Sequence, residues 1–328
     1  MNFEIGVLQP NSPHLFADLI EFLAIFDPYG KNEIHKNDIV NIVNGLPVSD
    51  EDIDDEEDLD DSDISDASKH DIKEARLEDA WSQLEYRAYC FAENYPFNVE
   101  GDLLKLNTDW SNPRHKIYRF LLASSRLRSF TASNRYYWSQ AFARVSSVAL
   151  SSLLPPYADV KIFDANSVDR HEYYGTDCRE ALIVLGKQLS AFKVHEEEIR
   201  ERSSSGDGGI DLVGVVSFGD TAYGAHVVFG QCGAQEEEWP EKRLEAHPIG
   251  LSNYFQFSHD VITTMFTPVL YRSSTGKWVS GSKVTGVVVI DRLRIISLIE
   301  KSEGFENIAL QDYFKEFESE FESYSLVS

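Results

Sequence analysis

Cysteine is scarce in this chain: Cys90, Cys178 and Cys232 are the only three in 328 residues, far apart and in no CxxC or Cys/His array. That excludes a disulfide framework and a zinc site of ordinary ligand spacing, and it fits reduced thiols in a cytoplasm. Long apolar runs are missing too. None reaches the roughly 18 to 20 residues that cross a bilayer, and the start, MNFEIGVLQPNSPHLF, lacks the basic and apolar regions of a signal peptide. A soluble, cytoplasmic protein with no membrane partner is the expectation. No GxSxG elbow, GxxxxGK[ST] phosphate loop or HExxH pair occurs, which removes the serine-hydrolase, P-loop and zincin chemistries those motifs carry. Positive charge is in deficit: 30 Lys and Arg face 55 Asp and Glu, a net charge of -25. Long-range attraction to phosphate therefore cannot drive nucleic-acid binding alone.

What is present is a globular composition, 42% hydrophobic and 12% aromatic. The acidity is unevenly spread. The run DEDIDDEEDLDDSDISD, residues 50 to 66, holds 12 acids and no base, and the rest of the chain still carries -13. Like charges and little apolar surface predict a disordered linker over 48–70; a strip that mimics DNA in a basic groove is the functional alternative. Around it, Leu15, Leu19, Phe22, Leu23 and Phe26 and then the stretch from Lys73 to about Ser151 read as helical. A calcium loop at Asp27 fails, because Tyr29 and Lys31 stand where oxygen ligands are required. Residues 1–155 are thus expected to form a mainly helical domain containing the linker.

Within that domain, Arg114 to Arg144 contains no acid and interleaves basic residues with Tyr118, Phe120, Phe130, Tyr136, Tyr137, Trp138 and Phe142. Arg119, Arg126, Arg128 and Arg135 are the candidate nucleic-acid contacts. The competing reading makes the aromatics core and the arginines neutralisers of acids elsewhere.

After the prolines of LLPPYADVKIF, Leu182, Leu185, Leu189 and Phe192 recur at helical spacing, and β-branched runs follow: IDLVGVV, HVVFGQC and VTGVVVI. The order is mixed α/β, with 156–328 as a second domain closed by a helix bearing Leu310, Phe314, Phe317 and Phe321 on one stripe. Two polar residues interrupt the apolar runs. Gly206, Gly208 and Gly209 allow an irregular approach to Asp211, residues 217–224 reverse the chain, and Gln231 ends the returning strand. Alternation lets Asp211 and Gln231 converge, with Cys232 pointing away. Asp207 reads as a turn residue. With Glu180 near the start of the preceding helix, for which Glu172, Glu197 and Glu198 compete, and the backbone carbonyl of Cys232, the set suits a hard cation such as Mg²⁺ or Mn²⁺.

The succession DCREALIVLGKQL, SGDGGIDLVG and a strand ending in QC resembles the PD-(D/E)XK restriction-endonuclease superfamily, especially its Mrr-like branch, over roughly residues 160–300. The resemblance implies a restriction-endonuclease-like mixed-sheet core, places the helix glutamate on Glu180, the metal-binding aspartate on Asp211 and the glutamine of Q-x-K on Gln231, and implies Mg²⁺-dependent DNA cleavage in a bacterial anti-phage or restriction system, acting with a partner protein. The chain departs from the pattern at Gly233, where the family has its lysine; Lys242 in EEEWPEKRLEA is the candidate replacement. A nuclease-fold scaffold or sensing subunit without activity is the alternative that Gly233 favours, and a binding module built on Arg114 to Arg144 is a third.

Overall fold

Helix-period and strand-period stretches resolve into a mixed α/β structure whose main sheet has five strands of mixed direction. The computed structural model describes residues 2–5, 12–27, 30–45, 66–220, 222–236 and 239–326. Residues 48–65 of the expected linker lie outside them, and Asp66 already begins the helix Asp66–Phe91. Among the described residues no helix is long and apolar enough to cross a membrane.

The chain divides into two compact units, and neither is continuous: Met1–Arg135, Val269–Val279 and Ala309–Ser328 form the first, Tyr136–Pro268 and Ser280–Ile308 the second. This corrects the expected division at 155/156 and the placing of the C-terminal helix in the second domain. The helix Asp312–Phe321 buries Phe314, Phe317 and Phe321 against Phe120, Phe130 and Phe26 of the first unit. Leu310, expected on the same stripe, is 67% exposed because it precedes that helix.

The first unit is organised by the helix Pro13–Ile25, buried at every residue from His14 to Ile25. Two of these are acids, Asp18 and Glu21, one turn apart and therefore on one face. Arg87, fully buried on the helix Asp66–Phe91, pairs through Nη1 with both at 2.7 Å. Tyr95 and Tyr118 donate their hydroxyls to Glu21 Oε1 at 2.7 and 2.9 Å, and Ser125 donates to Asp18 Oδ2 at 2.8 Å. Burial opposes the charge on Arg87, but Glu21 and then Asp18 outweigh it and hold the guanidinium well above its ordinary pKa. Beside this network β1 (Asn2–Phe3) pairs with the terminal strand Ser325–Leu326, and β2 (Glu33–His35), β3 (Phe97–Glu100) and β4 (Leu103–Leu106) form an antiparallel sheet in the order β2-β4-β3.

In the second unit the five-stranded sheet has the order β11-β10-β8-β7-β5, with β5 (Asp159–Ile162), β7 (Leu212–Val216), β8 (His226–Cys232), β10 (Ile262–Phe266) and β11 (Val288–Ile290); β6 (Lys193–Val194) and β9 (Phe255–Gln256) make a separate ribbon. β7 runs antiparallel to both β5 and β8, whereas β8, β10 and β11 are parallel. The expected hairpin is present: Leu212 pairs with Gly230 and Val216 with His226. Alternation sorts its faces. Val213, Val227 and Phe229 join the helix Cys178–Gln188 in a core with Leu182, Leu185 and Leu189. On the other face Gly214 lies under Leu154 and Leu150; a Cβ there would come within 2.6 Å of Leu154 Cδ1. Phe192, expected in the apolar stripe of the helix Cys178–Gln188, is half exposed beyond its end.

Removing one member of a buried charge network leaves its partners uncompensated, which costs about 3–5 kcal/mol. Arg87→Met is expected to lower the unfolding free energy by that amount in a urea titration at neutral pH. A loss below about 1 kcal/mol would show that Asp18 and Glu21 do not depend on it.

Candidate metal centre

The alternation that puts Val213 and Phe229 on the helix-covered face also carries Asp211 and Gln231 there, since each lies two residues from one of them. The next step of the β7–β8 register sets these two opposite each other, where side chains share a face. Two hydrogen bonds bracket the pair. Asp211 N–H donates to Gly230 O at 3.0 Å, and Cys232 N–H donates to Asp211 Oδ2 at 2.6 Å. Cys232 itself turns to the opposite face, as expected. Burial, and then the Asp211 charge, push its thiol well up, so it offers no thiolate.

Two further aspartates meet Asp211. Asp164 follows β5 and Asp207 sits in the glycine loop; one carboxylate oxygen from each lies within 4.8 Å of the others. Asp164 is brought in by the β5–β7 pairing, which continues through Phe163 N–H donating to Asp211 O at 2.6 Å. Asp207 is the turn residue expected, its Oδ1 accepting from Gly209 N–H at 2.8 Å, and it belongs to the cluster as well. Both loops are tied by Arg170. This fully buried guanidinium donates to Gly175 O, Phe163 O and Gly206 O at 2.9, 3.1 and 3.5 Å and lies over the Phe163 ring at 4.4 Å. Two of those carbonyls belong to the residues just before Asp164 and Asp207.

Gln231 is 6% exposed. Its Nε2 donates to Glu245 Oε2 at 3.1 Å, which fixes the amide orientation and turns Oε1 away from Glu245. Oε1 has no hydrogen-bond partner. A buried amide oxygen without a donor costs about 1–3 kcal/mol, and a cation is the kind of group that satisfies it. The donors are all oxygens, which suits a hard divalent ion. Glu245 arrives by close approach of the 239–247 segment to the glycine loop: a Cβ on Gly209, whose φ is +83°, would lie 3.1 Å from both Glu245 Cβ and Glu245 O.

Asp211 keeps partial solvent contact, yet burial of its carboxyl pushes its pKa up to about 7. The Cys232 N–H opposes the rise, and Asp207, Asp164 and Glu245 add to it.

Some expected residues are not brought to this place. Glu180 stands outside the cluster, 56% exposed and paired with Arg200 at 2.8 Å. It occupies the first turn of its helix, where that partner on the next helix reaches it. For Cys232 the contact seen is its N–H rather than its carbonyl. Lys242 ends the short helix Trp239–Lys242; its carbonyl accepts from Glu245 N–H at 2.9 Å, and its side chain makes no hydrogen bond or ion pair among the described residues. At Gly233 a Cβ would fall against Met265 Cε and within 2.7 Å of Trp239 Cβ, so the position is closed to a lysine as packed. A cavity of about 600 Å³ opens beside residues 243–250, lined partly by Arg243, His247 and Ile249, and none of the three aspartates lines it.

The arginine-rich stretch is corrected as well. Arg119 is 2% exposed, stacked 4.0 Å over Trp110 and surrounded by Glu318, Glu322 and Asp109; burial lowers its pKa to about 10. Arg126 is buried with Nη2 donating to Ile5 O at 2.7 Å. Neither reaches a ligand at the surface. Arg128 and Arg135 are exposed, the latter donating through Nε to Phe130 O at 2.7 Å. Tyr118, Phe120, Phe130, Trp138 and Phe142 are core, and Tyr136 and Tyr137 are exposed.

Fold and site together define a mixed α/β protein with an acidic, oxygen-lined candidate cation site on one face of an antiparallel hairpin. No protein-family model, curated protein or solved structure matches the chain.

The raised carboxyl sets a pH dependence. Between the unfolded aspartate value near 4 and about 7, the folded state alone keeps the Asp211 proton, so metal-free stability falls as pH rises through that window, by up to about 4 kcal/mol in all. Asp211→Asn retains an acceptor for Cys232 N–H and carries no charge. In chelator-treated protein its melting temperature should exceed wild type by a margin that widens from about pH 4 to 7 and then levels. A margin that is constant, or narrows with rising pH, contradicts this site.

Proposed function

We propose that the protein is a Mg²⁺- or Mn²⁺-dependent DNA endonuclease with a restriction-endonuclease-like core, acting in bacterial anti-phage defence or restriction with a partner protein. The observation that carries the reading is the meeting of Asp211 and Gln231 on one face, the Gln231 Oε1 unpartnered and the Asp211 carboxylate clustered with those of Asp164 and Asp207. The order of elements agrees with the resemblance: a helix, the GDGGID loop, a strand that starts just after Asp211, and a returning strand ending in QC.

Asp211, Gln231, Asp164 and Asp207 would hold the cation. When bound, it would polarise a scissile phosphate and lower the pKa of a water molecule. Asp211 gives up the proton that it keeps near neutral pH in the bare site, so binding is coupled to proton release. Gln231 contributes an oxygen without charge, which leaves the site less repulsive to phosphate than a carboxylate would. Glu245 keeps that amide from rotating, and Arg170 holds the loops of Asp164 and Asp207 in register with the hairpin. Lys242 is the proposed replacement for the family lysine, orienting the water or neutralising developing charge.

A second reading has one observation in its favour. The packing of Met265 and Trp239 around Gly233 suits a nuclease-like scaffold or nucleic-acid-sensing subunit as well as a relocated lysine.

Purified protein is expected to nick or degrade plasmid DNA with Mg²⁺ or Mn²⁺ and to stop on chelation. Asp211→Ala should reduce the rate about a hundredfold or more and abolish Mn²⁺ binding measured by calorimetry. Lys242→Ala separates enzyme from scaffold, since only an enzyme that uses it loses turnover. Cleavage that persists in Asp211→Ala rules out the site.

A further inference from the structure

A site with three carboxylates repels the phosphate it must approach, so a cation is needed on the substrate side. The neighbouring cations are mostly engaged. Arg170 is buried and spans three carbonyls. Arg179 is bonded to Asp177 at 2.6 Å, and Arg200 to Glu180 at 2.8 Å with Glu196 at 3.8 Å. Arg243 is held by the carbonyls of Pro240, Ser282 and Thr285.

Arg202 differs. It lies half-buried in the turn after the helix Glu196–Arg200, and its guanidinium has no hydrogen bond or ion pair among the described residues. It rests over the Tyr254 ring, 4.6 Å from the centroid. That contact holds the charge through the ring face and consumes none of the five N–H donors. Tyr254 is itself positioned, because its carbonyl accepts from His195 N–H at 2.9 Å and the adjacent Phe255 pairs with Val194. The guanidinium packs against the glycine loop: Nη1 stands 3.6 Å from where a Cβ would sit on Gly208, the residue after Asp207. A planar, donor-rich cation parked beside the loop that carries one of the aspartates is suited to take up an oxyanion bidentately.

We infer that Arg202 is the residue of this site that contacts substrate phosphate, its free N–H fork receiving the non-bridging oxygens of a nucleic-acid phosphate seated over Asp207 and Asp211. The inference rests on the nuclease reading above and assigns phosphate contact to Arg202, apart from the water-orienting or charge-neutralising role proposed for Lys242.

The experiment measures binding of a fluorescein-labelled DNA duplex by anisotropy, with Ca²⁺ in place of Mg²⁺, over a series of salt concentrations. Arg202→Ala is expected to weaken binding about tenfold and to reduce the slope of log affinity against log salt by about one. Arg202→Lys should recover the slope and only part of the affinity, because charge is kept and the fork lost. Ca²⁺ affinity of Arg202→Ala, followed by calorimetry without DNA, should be unchanged or tighter, which also reports that the variant is folded. If Lys242→Ala shows the loss and Arg202→Ala matches wild type, the assignment to Arg202 is overturned while the metal site stands. If Ca²⁺ affinity tightens in Arg202→Ala and DNA binding does not change, Arg202 only neutralises the acids and the assignment is again overturned. Wild-type protein that binds neither Mn²⁺ nor DNA overturns both the assignment and the nuclease reading.

Discussion

The hydrogen bond from Cys232 N–H to Asp211 Oδ2 is the constraint on which the candidate site depends. At this end of the hairpin the ladder closes through a side chain, with Asp211 N–H going to Gly230 O and the Asp211 carboxylate taking the next donor along β8. A carboxylate used in this way cannot swing out to solvent without leaving a backbone N–H unpaired, at a cost of about 1–3 kcal/mol. The acid is therefore fixed on its face of the sheet, where burial raises its pKa and where two more aspartates arrive. Like charges gathered with so little compensation are tolerated only when something holds the backbone that carries them. Arg170 does so by bonding main-chain carbonyls rather than carboxylates, and so occupies none of the acid oxygens.

The two units handle buried charge in opposite ways. In the first, Asp18 and Glu21 are matched by Arg87 and by the hydroxyls of Tyr95, Tyr118 and Ser125 in a closed network with no solvent contact. In the second, Asp164, Asp207 and Asp211 face one another, and the nearest buried cation is spent on main-chain carbonyls. A closed network lends specificity to a core. An open one stores unfavourable electrostatics that a bound cation would relieve. That contrast, together with the unpartnered Gln231 Oε1, separates this acidic cluster from ordinary surface acids.

Much of the hairpin was legible in sequence because its information is local. The period of two along 210–216 and 226–232, the glycines before Asp211 and the turn at 217–224 prescribe a hairpin and put Asp211 and Gln231 on one side without knowledge of the rest of the fold. Asp164 was illegible because nothing near FDANS announces that β5 will pair with β7. Glu245 was hidden in a run of acids and reaches Gln231 only because Gly209 admits its backbone. Glu180 had the right helix and the right turn, but its partner Arg200 comes from the following helix, a tertiary fact. Arg119 and Arg126 read as surface charge from composition; Trp110 and the Ile5 carbonyl, distant in sequence, draw them inside. The discontinuous units were likewise invisible, since the 269–279 and 309–328 segments join the first unit through contacts that no periodicity encodes.

Gly233 ties these levels together. Read as a residue type, it is the missing lysine of a resemblance. Read in the packed structure, it is the place where Met265 of β10 and Trp239 of the next helix close over the end of β8. A side chain there would push Trp239 outward, and with it the segment that brings Glu245 to Gln231. The packing that orients the glutamine amide thus competes for space with any cation carried on the strand itself. A phosphate-binding site kept within this architecture has to take its positive charge from outside the hairpin. The turn after the helix Glu196–Arg200 supplies such a charge beside the glycine loop, on a tyrosine ring that leaves all its donors unused.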